Sequence, residues 1–229
     1  MKILAFDTAL RACSVAVLVD GAIHGQRFEV RSRGHAEVLI PMINQVCADA
    51  GIGMAEFDRL AVTVGPGTFA GVRIGIAAAR GFAVSLSLPV VGVTTLEAVA
   101  ASALSELNPG ESHVTALFDA RRGQVYAQSF DPKLGSLAQP RAASPQEVLD
   151  DLPLGAGALV GDGAMILADI LSANRPDLRL IAVDRQPDAV IIGRLAAERS
   201  PAQPGSGEPS PLYLRPPDAK LPAARAGSK

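Results

Sequence analysis

The stretch AVTVGPGTFAGVRIGIAAARG, residues 61–81, constrains this chain more than any other. A β-branched run enters Gly65-Pro66-Gly67, and a helix rich in small residues is expected from Gly71 to Leu86. Glycine loops between a strand and a helix N-terminus are where phosphates often bind. The ATP-binding loop with a lysine fails here, because neither the second glycine nor the lysine falls at the required spacing. Gly65 to Ala70 satisfies the looser G-x-G-x-x-[GA] pattern, yet no acidic residue closes the next strand to hold a ribose. The alternative is structural: Gly65 and Gly67 permit a tight turn, and Gly71 lets the helix pack closely on the sheet.

The rest of the chain frames this loop. Strands are expected at 2–8, 12–19 and 22–30, with Asp20-Gly21 as a hairpin turn. A helix at 35–50, a strand at 59–64, the helix at 71–86, a strand at 90–94 and a helix at 95–107 complete a β-β-β-α-β-α-β-α unit. A break near Asn108-Pro109-Gly110 opens a smaller second lobe to residue 200. It holds a hairpin at 113–119 and 124–130, a capped helix from Ser144, a strand at 158–160, and a helix ending near Ser172. A strand near 179–183 and a helix near 188–199 close it. Residues 201–229 are rich in Pro, Gly and Ser and read as a mobile tail, with an apolar island at 211–215 docking on the body.

Composition limits the partners. A formal charge of −2 over 229 residues supplies no general attraction for nucleic acid, so any RNA contact needs a local patch or a partner protein. The N-terminal apolar run is too short for a signal peptide, and no run is expected to span a membrane, which points to the cytoplasm. Cys13 and Cys47 lack metal or redox spacing and read as buried thiols. Both long helices carry more apolar residues than one packed face requires. Leu39, Met42, Ile43 and Val46 on the first, with Val72, Ile76, Ala79 and Ala83 on the second, are the expected partner or homodimer interface.

These segments together resemble a known family. AFDTALRACSVAVLVDG, RGHAEVLIPMI, the long glycine motif, PVVGVTTLEAVA, LFDARRGQVYAQSF, VGDGA and PLYLR are similar to the bacterial tRNA threonylcarbamoyladenosine biosynthesis family TsaB, also called YeaZ. The resemblance runs from Ile3 to Arg215. It implies an α/β chain of the actin/Hsp70-like ATPase (ASKHA) fold, with two lobes that each hold a mixed β-sheet flanked by helices.

The resemblance also implies a function. The family is paralogous to TsaD, which transfers threonylcarbamoyl to the adenosine beside the anticodon of tRNAs reading codons that start with A. TsaD-like proteins carry Asn-His-Leu-Glu-Gly-His, whose two histidines bind the catalytic metal. Here the equivalent stretch is Thr94-Thr95-Leu96-Glu97-Ala98-Val99, so Thr95 and Val99 stand at the ligand positions. A non-catalytic subunit follows, with no metal and no cofactor of its own, and ATP or ADP engaged only through the assembled complex. Its implied partners are a TsaD-like transferase, a TsaE-like ATPase, a TsaC-like synthase supplying the adenylate, and a second copy of itself. A tRNA is met only through that complex. The alternative is a free-standing nucleotide-dependent enzyme of the same fold.

Minor candidates remain. Asp7 and Thr8 after the first strand, with Arg121 and Arg122 at a hairpin tip, are candidates for a weak nucleotide or tRNA contact. Ala9 stands where ATPases of this fold place a glycine, and its methyl is expected to crowd a phosphate. His35 reads as a surface or capping residue, and Gly161-Asp162-Gly163 as a loop.

Overall fold

The computed structural model describes residues 1–200 and 209–215. Three antiparallel strands open the chain: β1 (Lys2–Asp7), β2 (Ala12–Val19) and β3 (Ala22–Val30). Asp20 and Gly21 turn between β2 and β3 with positive φ, the conformation an Asp-Gly hairpin favours. Helix α1 (His35–Ala50) crosses to β4 (Arg59–Thr63), and α2 (Phe69–Leu86) crosses to β5 (Val90–Val93). Both crossovers add parallel strands, giving the order β3-β2-β1-β4-β5.

After α3 (Thr95–Ala103) the second half repeats this plan. Strands β6 (His113–Arg121), β7 (Gln124–Phe130) and β8 (Arg141–Ala143) are antiparallel; α4 (Pro145–Asp150), β9 (Gly157–Val160), α5 (Ala164–Asn174) and β10 (Leu178–Ile181) follow. The second sheet runs β10-β9-β6-β7-β8, the same topology as the first. Two copies of one β-β-β-α-β-α-β plan form the actin/Hsp70-like ATPase (ASKHA) architecture expected. Strand β8 was not foreseen, since three residues hold no readable period.

The division of the chain at 108 needs one correction. Helix α6 (Ala189–Ala197), expected in the second lobe, packs on the first sheet: Ala189, Val190, Ile192 and Ala196 are buried with Ile3, Ala5, Ala16 and Leu18. Conversely α3 sets Leu96, Val99, Ala100 and Ala103 against Val114, Ala116 and Phe118 of the second sheet. Each half lends its last helix to the other's sheet, which ties the lobes together by apolar burial. Helix α3 is also shorter than expected, passing into a 3-10 turn at Leu104–Glu106.

The expected docking of 211–215 is seen. The Leu212 N–H donates to the Val64 carbonyl at 2.7 Å, Leu214 joins the second-sheet core, and Arg215 Nη1 donates to the Ala120 carbonyl at 2.8 Å. Arg80 donates to the Pro209 carbonyl from α2. The expectation that residues 201–208 and 216–229 are mobile lies outside the described residues.

The glycines of the loop are set by backbone crowding. A Cβ on Gly71 would lie 2.1 Å from the Thr8 carbonyl oxygen, and one on Gly67 would lie 2.6 Å from that of Ala9. At Gly81, on the same helix, a Cβ meets nothing within 4 Å. Gly71→Ala should therefore destabilise the isolated chain by about 3 kcal/mol. Gly81→Ala should stabilise it by up to about 1 kcal/mol. Urea unfolding of the two variants checks both signs.

Candidate functional site

The glycine loop wraps the turn between β1 and β2. Thr68 caps α2 by accepting the Gly71 N–H at 3.0 Å, so the helix begins at Phe69, two residues before the expected start. The Thr68 N–H donates to the Ala9 carbonyl at 2.8 Å, and the Thr8 hydroxyl donates to the Gly71 carbonyl at 2.7 Å. Ala9 is fully buried against Val72 and Ile76. The backbone of Thr8 and Ala9 thus fills the space beside the loop glycines. This is the close-packing alternative read from the sequence.

Asp7 and Thr8 are buried beneath this turn and offer no surface to a nucleotide or tRNA, which corrects their candidacy as contacts in this conformation. Asp7 Oδ1 accepts the Thr63 hydroxyl and, at 3.1 Å, the Ala9 N–H, while Oδ2 has no partner among the described residues. Burial pushes this carboxyl up to about 7 against the opposing pull of its hydrogen bonds. The neighbouring Cys13 thiol is pushed up to about 12, first by burial and then by the Asp7 charge. Nearby, Arg11 links the lobes: its N–H donates to Gln186 Oε1 at 2.8 Å and its guanidinium lies 3.5 Å from Asp162. Asp162 in turn accepts the Asp119 N–H at 3.1 Å, so this loop fastens the second sheet to the first turn. The ion pair was invisible in sequence because 151 positions separate its partners.

Among the expected interface residues, the structure corrects seven. Leu39, Met42, Ile43, Val46 and Ala79 are buried with Val15, Val17 and Leu60, and Val72 and Ile76 are buried over Ala9. Their stripes face the chain's own sheet, so they cannot present side chains to a partner. Ala83 is half-buried on the same core. What remains uncovered on α2 is the opposite stripe. Phe69 is 71% exposed and Val84 77% exposed, with Ala77 and Gly81 exposed between them. Ile40 is exposed on α1. Five of the eighteen α2 residues are buried and seven more half-buried, and by length and composition the helix is apolar enough to cross a membrane. That revises the expectation that no run reaches such a length.

The position of the absent histidine pair is filled by core. Thr95 and Val99 are fully buried on α3, Val99 within the apolar cluster under the second sheet. His35 is buried at the start of α1 and is no surface residue. Among the described residues, no three His, Cys, Asp or Glu side chains converge as a metal-binding group. Arg121 and Arg122 sit exposed at the β6–β7 turn, both with positive φ. A cleft of about 470 Å³, with no residue of the glycine loop in its lining, is walled by Phe28, Val30, Ser102, Arg185, Gln186 and Ile191.

Comparison with known proteins places this geometry. The family model for TsaD, tRNA N6-adenosine threonylcarbamoyltransferase, matches residues 25–157. The solved structure of YeaZ from Pseudomonas aeruginosa superposes with a TM-score of 0.79 at 30% identity, covering 93% of this chain and 99% of that one. The chain belongs to the TsaB/YeaZ family. An uncharacterized Mycobacterium tuberculosis protein is 30% identical over 95% of this chain and 93% of its own length. The Escherichia coli TsaB, a tRNA threonylcarbamoyladenosine biosynthesis protein, is 42% identical over 55% of this chain and 53% of its own length. The chain thus matches about half the length of that TsaB. The TsaD match is what a TsaB/YeaZ paralogue of that transferase shows.

Asp7 gives a pH test. The unfolded carboxyl loses its proton near 3.8, whereas the folded one keeps it to about 7. Between these values the folded state binds the extra proton, so this contribution to stability falls as pH rises from about 4 to about 7, then levels off. Asp7→Asn keeps an acceptor for Thr63 and Ala9 but cannot ionise. The melting temperature of the variant relative to wild type should rise across that window. A difference constant with pH would contradict a protonated Asp7.

Proposed function

We propose that this protein is a non-catalytic subunit of the machinery that makes threonylcarbamoyladenosine in tRNA, and that the outer stripe of α2 binds the TsaD-like transferase. One observation carries the reading. An 18-residue helix, fixed at its start by the packing of Gly67 and Gly71, leaves a stripe through Ala77, Gly81 and Val84 exposed. Exposed apolar faces of this kind mark protein contacts. Membership of the TsaB/YeaZ family and the name borne by the E. coli relative supply the pathway.

Two further features support an accessory role over a free-standing nucleotide-dependent enzyme. The backbone of Thr8 and Ala9 occupies the space beside the loop glycines where a phosphate would approach. Buried Thr95 and Val99 stand where the family resemblance puts the transferase's metal ligands. The subunit works in the cytoplasm with a TsaE-like ATPase and a TsaC-like synthase, and engages ATP or ADP through the assembled complex. The same α2 stripe pairs two copies when the transferase is absent.

Val84→Arg and Ala77→Arg place a charge on the uncovered stripe without touching the core. Each should stay folded and lose association with the co-expressed TsaD-like protein on the order of 100-fold, because a charge buried without a partner costs about 3 kcal/mol or more. Ala79→Arg and Met42→Glu, facing the core, should instead unfold the chain. Pull-down with circular dichroism separates the two outcomes. Full binding by both folded outer-stripe variants would move the interface elsewhere.

A further inference from the structure

A cationic and aromatic strip runs from the start of α2, along the docked segment 209–215, to the β6–β7 turn. The Arg73 guanidinium lies 3.2 Å from the centroid of the Phe69 ring and 5.2 Å from that of Tyr213. Its one hydrogen bond among the described residues goes to the Phe69 carbonyl, so no described carboxylate neutralises it. Both rings are more than half exposed, at 71% and 56%. From Tyr213 the chain reaches Arg215, whose contact with the Ala120 carbonyl brings the strip to Arg121 and Arg122.

Two aspects point to a polyanion with bases. No Asp or Glu occurs from Arg59 to Leu96, or from Pro209 to Arg215, so α2 and the docked segment are cationic within a chain of net charge −2. Arg121 and Arg122 hold φ of 64° and 55°, a conformation glycine or asparagine adopts with less strain. Asp119 fixes Arg121 at the tip through a 2.9 Å ion pair. Exposed rings beside arginines are the groups that stack unpaired bases and hold the phosphates between them.

We propose that Phe69, Arg73 and Tyr213, continued by Arg121 and Arg122, form a docking strip for single-stranded RNA. Bases stack on the two rings, and phosphates meet the guanidinium groups. This rests on the tRNA-modification reading above and deepens it: RNA meets the Phe69–Arg73 start of α2, beside the Ala77–Val84 stretch given to the transferase.

The test uses the full chain, alone and with its TsaD-like partner, and a fluorescently labelled, unmodified anticodon stem-loop transcript. Anisotropy across a salt series should show binding whose log–log salt slope falls by about 1 for Arg73→Gln and by about 2 for Arg121→Asn with Arg122→Asn. Tyr213→Ala alters only an exposed ring and should weaken binding roughly 10-fold. The proposal is overturned if the wild-type chain leaves the transcript free at low salt, both alone and with its partner. It is equally overturned if the folded variants bind it as wild type does, or if they lose the transferase while keeping RNA affinity, which would make the strip a protein contact. The broader reading fails by a different sign: deleting the gene would leave the modified nucleoside at its normal level.

Discussion

The contact on which the structure turns is one of backbone against backbone. Thr8 and Ala9, in the first turn of the first sheet, press their carbonyls into space that only glycine can leave open at positions 67 and 71. In return Thr68 donates to Ala9, and Thr8 donates to Gly71. A glycine loop of this kind is ordinarily read as room for phosphate. Here the chain itself takes up that room, and the result is a fixed start and direction for α2. Burying Asp7 beneath the turn is a consequence, and its carboxyl is held toward the neutral form by burial.

Around this contact the two halves are joined by exchange. Helix α6 covers the first sheet and α3 the second, and the ion pair from Arg11 to Asp162 closes the edge between them. The body is therefore firm where α2 begins, and α2 keeps its apolar outer stripe available. A helix apolar on two sides, with only one side buried, is hard to account for in an isolated chain. Recognition of another macromolecule along that stripe gives it a physical reason.

Much of the fold was legible in the sequence. The bounds of β2, β3, α1 and β7 follow from alternation and helical spacing, and Ser144 shows the capping box its spacing implied. The interface was legible only as a helix and not as a face. An almost wholly apolar helix carries no polar stripe to mark its outside, so the positions of regular spacing, Val72, Ile76 and Ala79, proved to be the inner stripe. The outer stripe can be found from Gly71 and Gly75: a face that needs glycine is pressed on the body, and Phe69, Ala77 and Val84 lie away from it. Tyr213 gave no such signal, because its neighbour Arg73 is 140 positions distant.

Hydrogen exchange by mass spectrometry, on the chain alone and mixed with the proposed TsaD-like partner, tests the central claim most directly. It reads where a partner slows exchange of backbone amides without altering any residue. The account places slow exchange at Thr8 to Leu10 in both states, unchanged by added ATP in the isolated chain. It also places new protection along residues 77–86 when the TsaD-like protein binds. Protection that bypasses α2, or an ATP-dependent slowing at the first turn of the isolated chain, would contradict it.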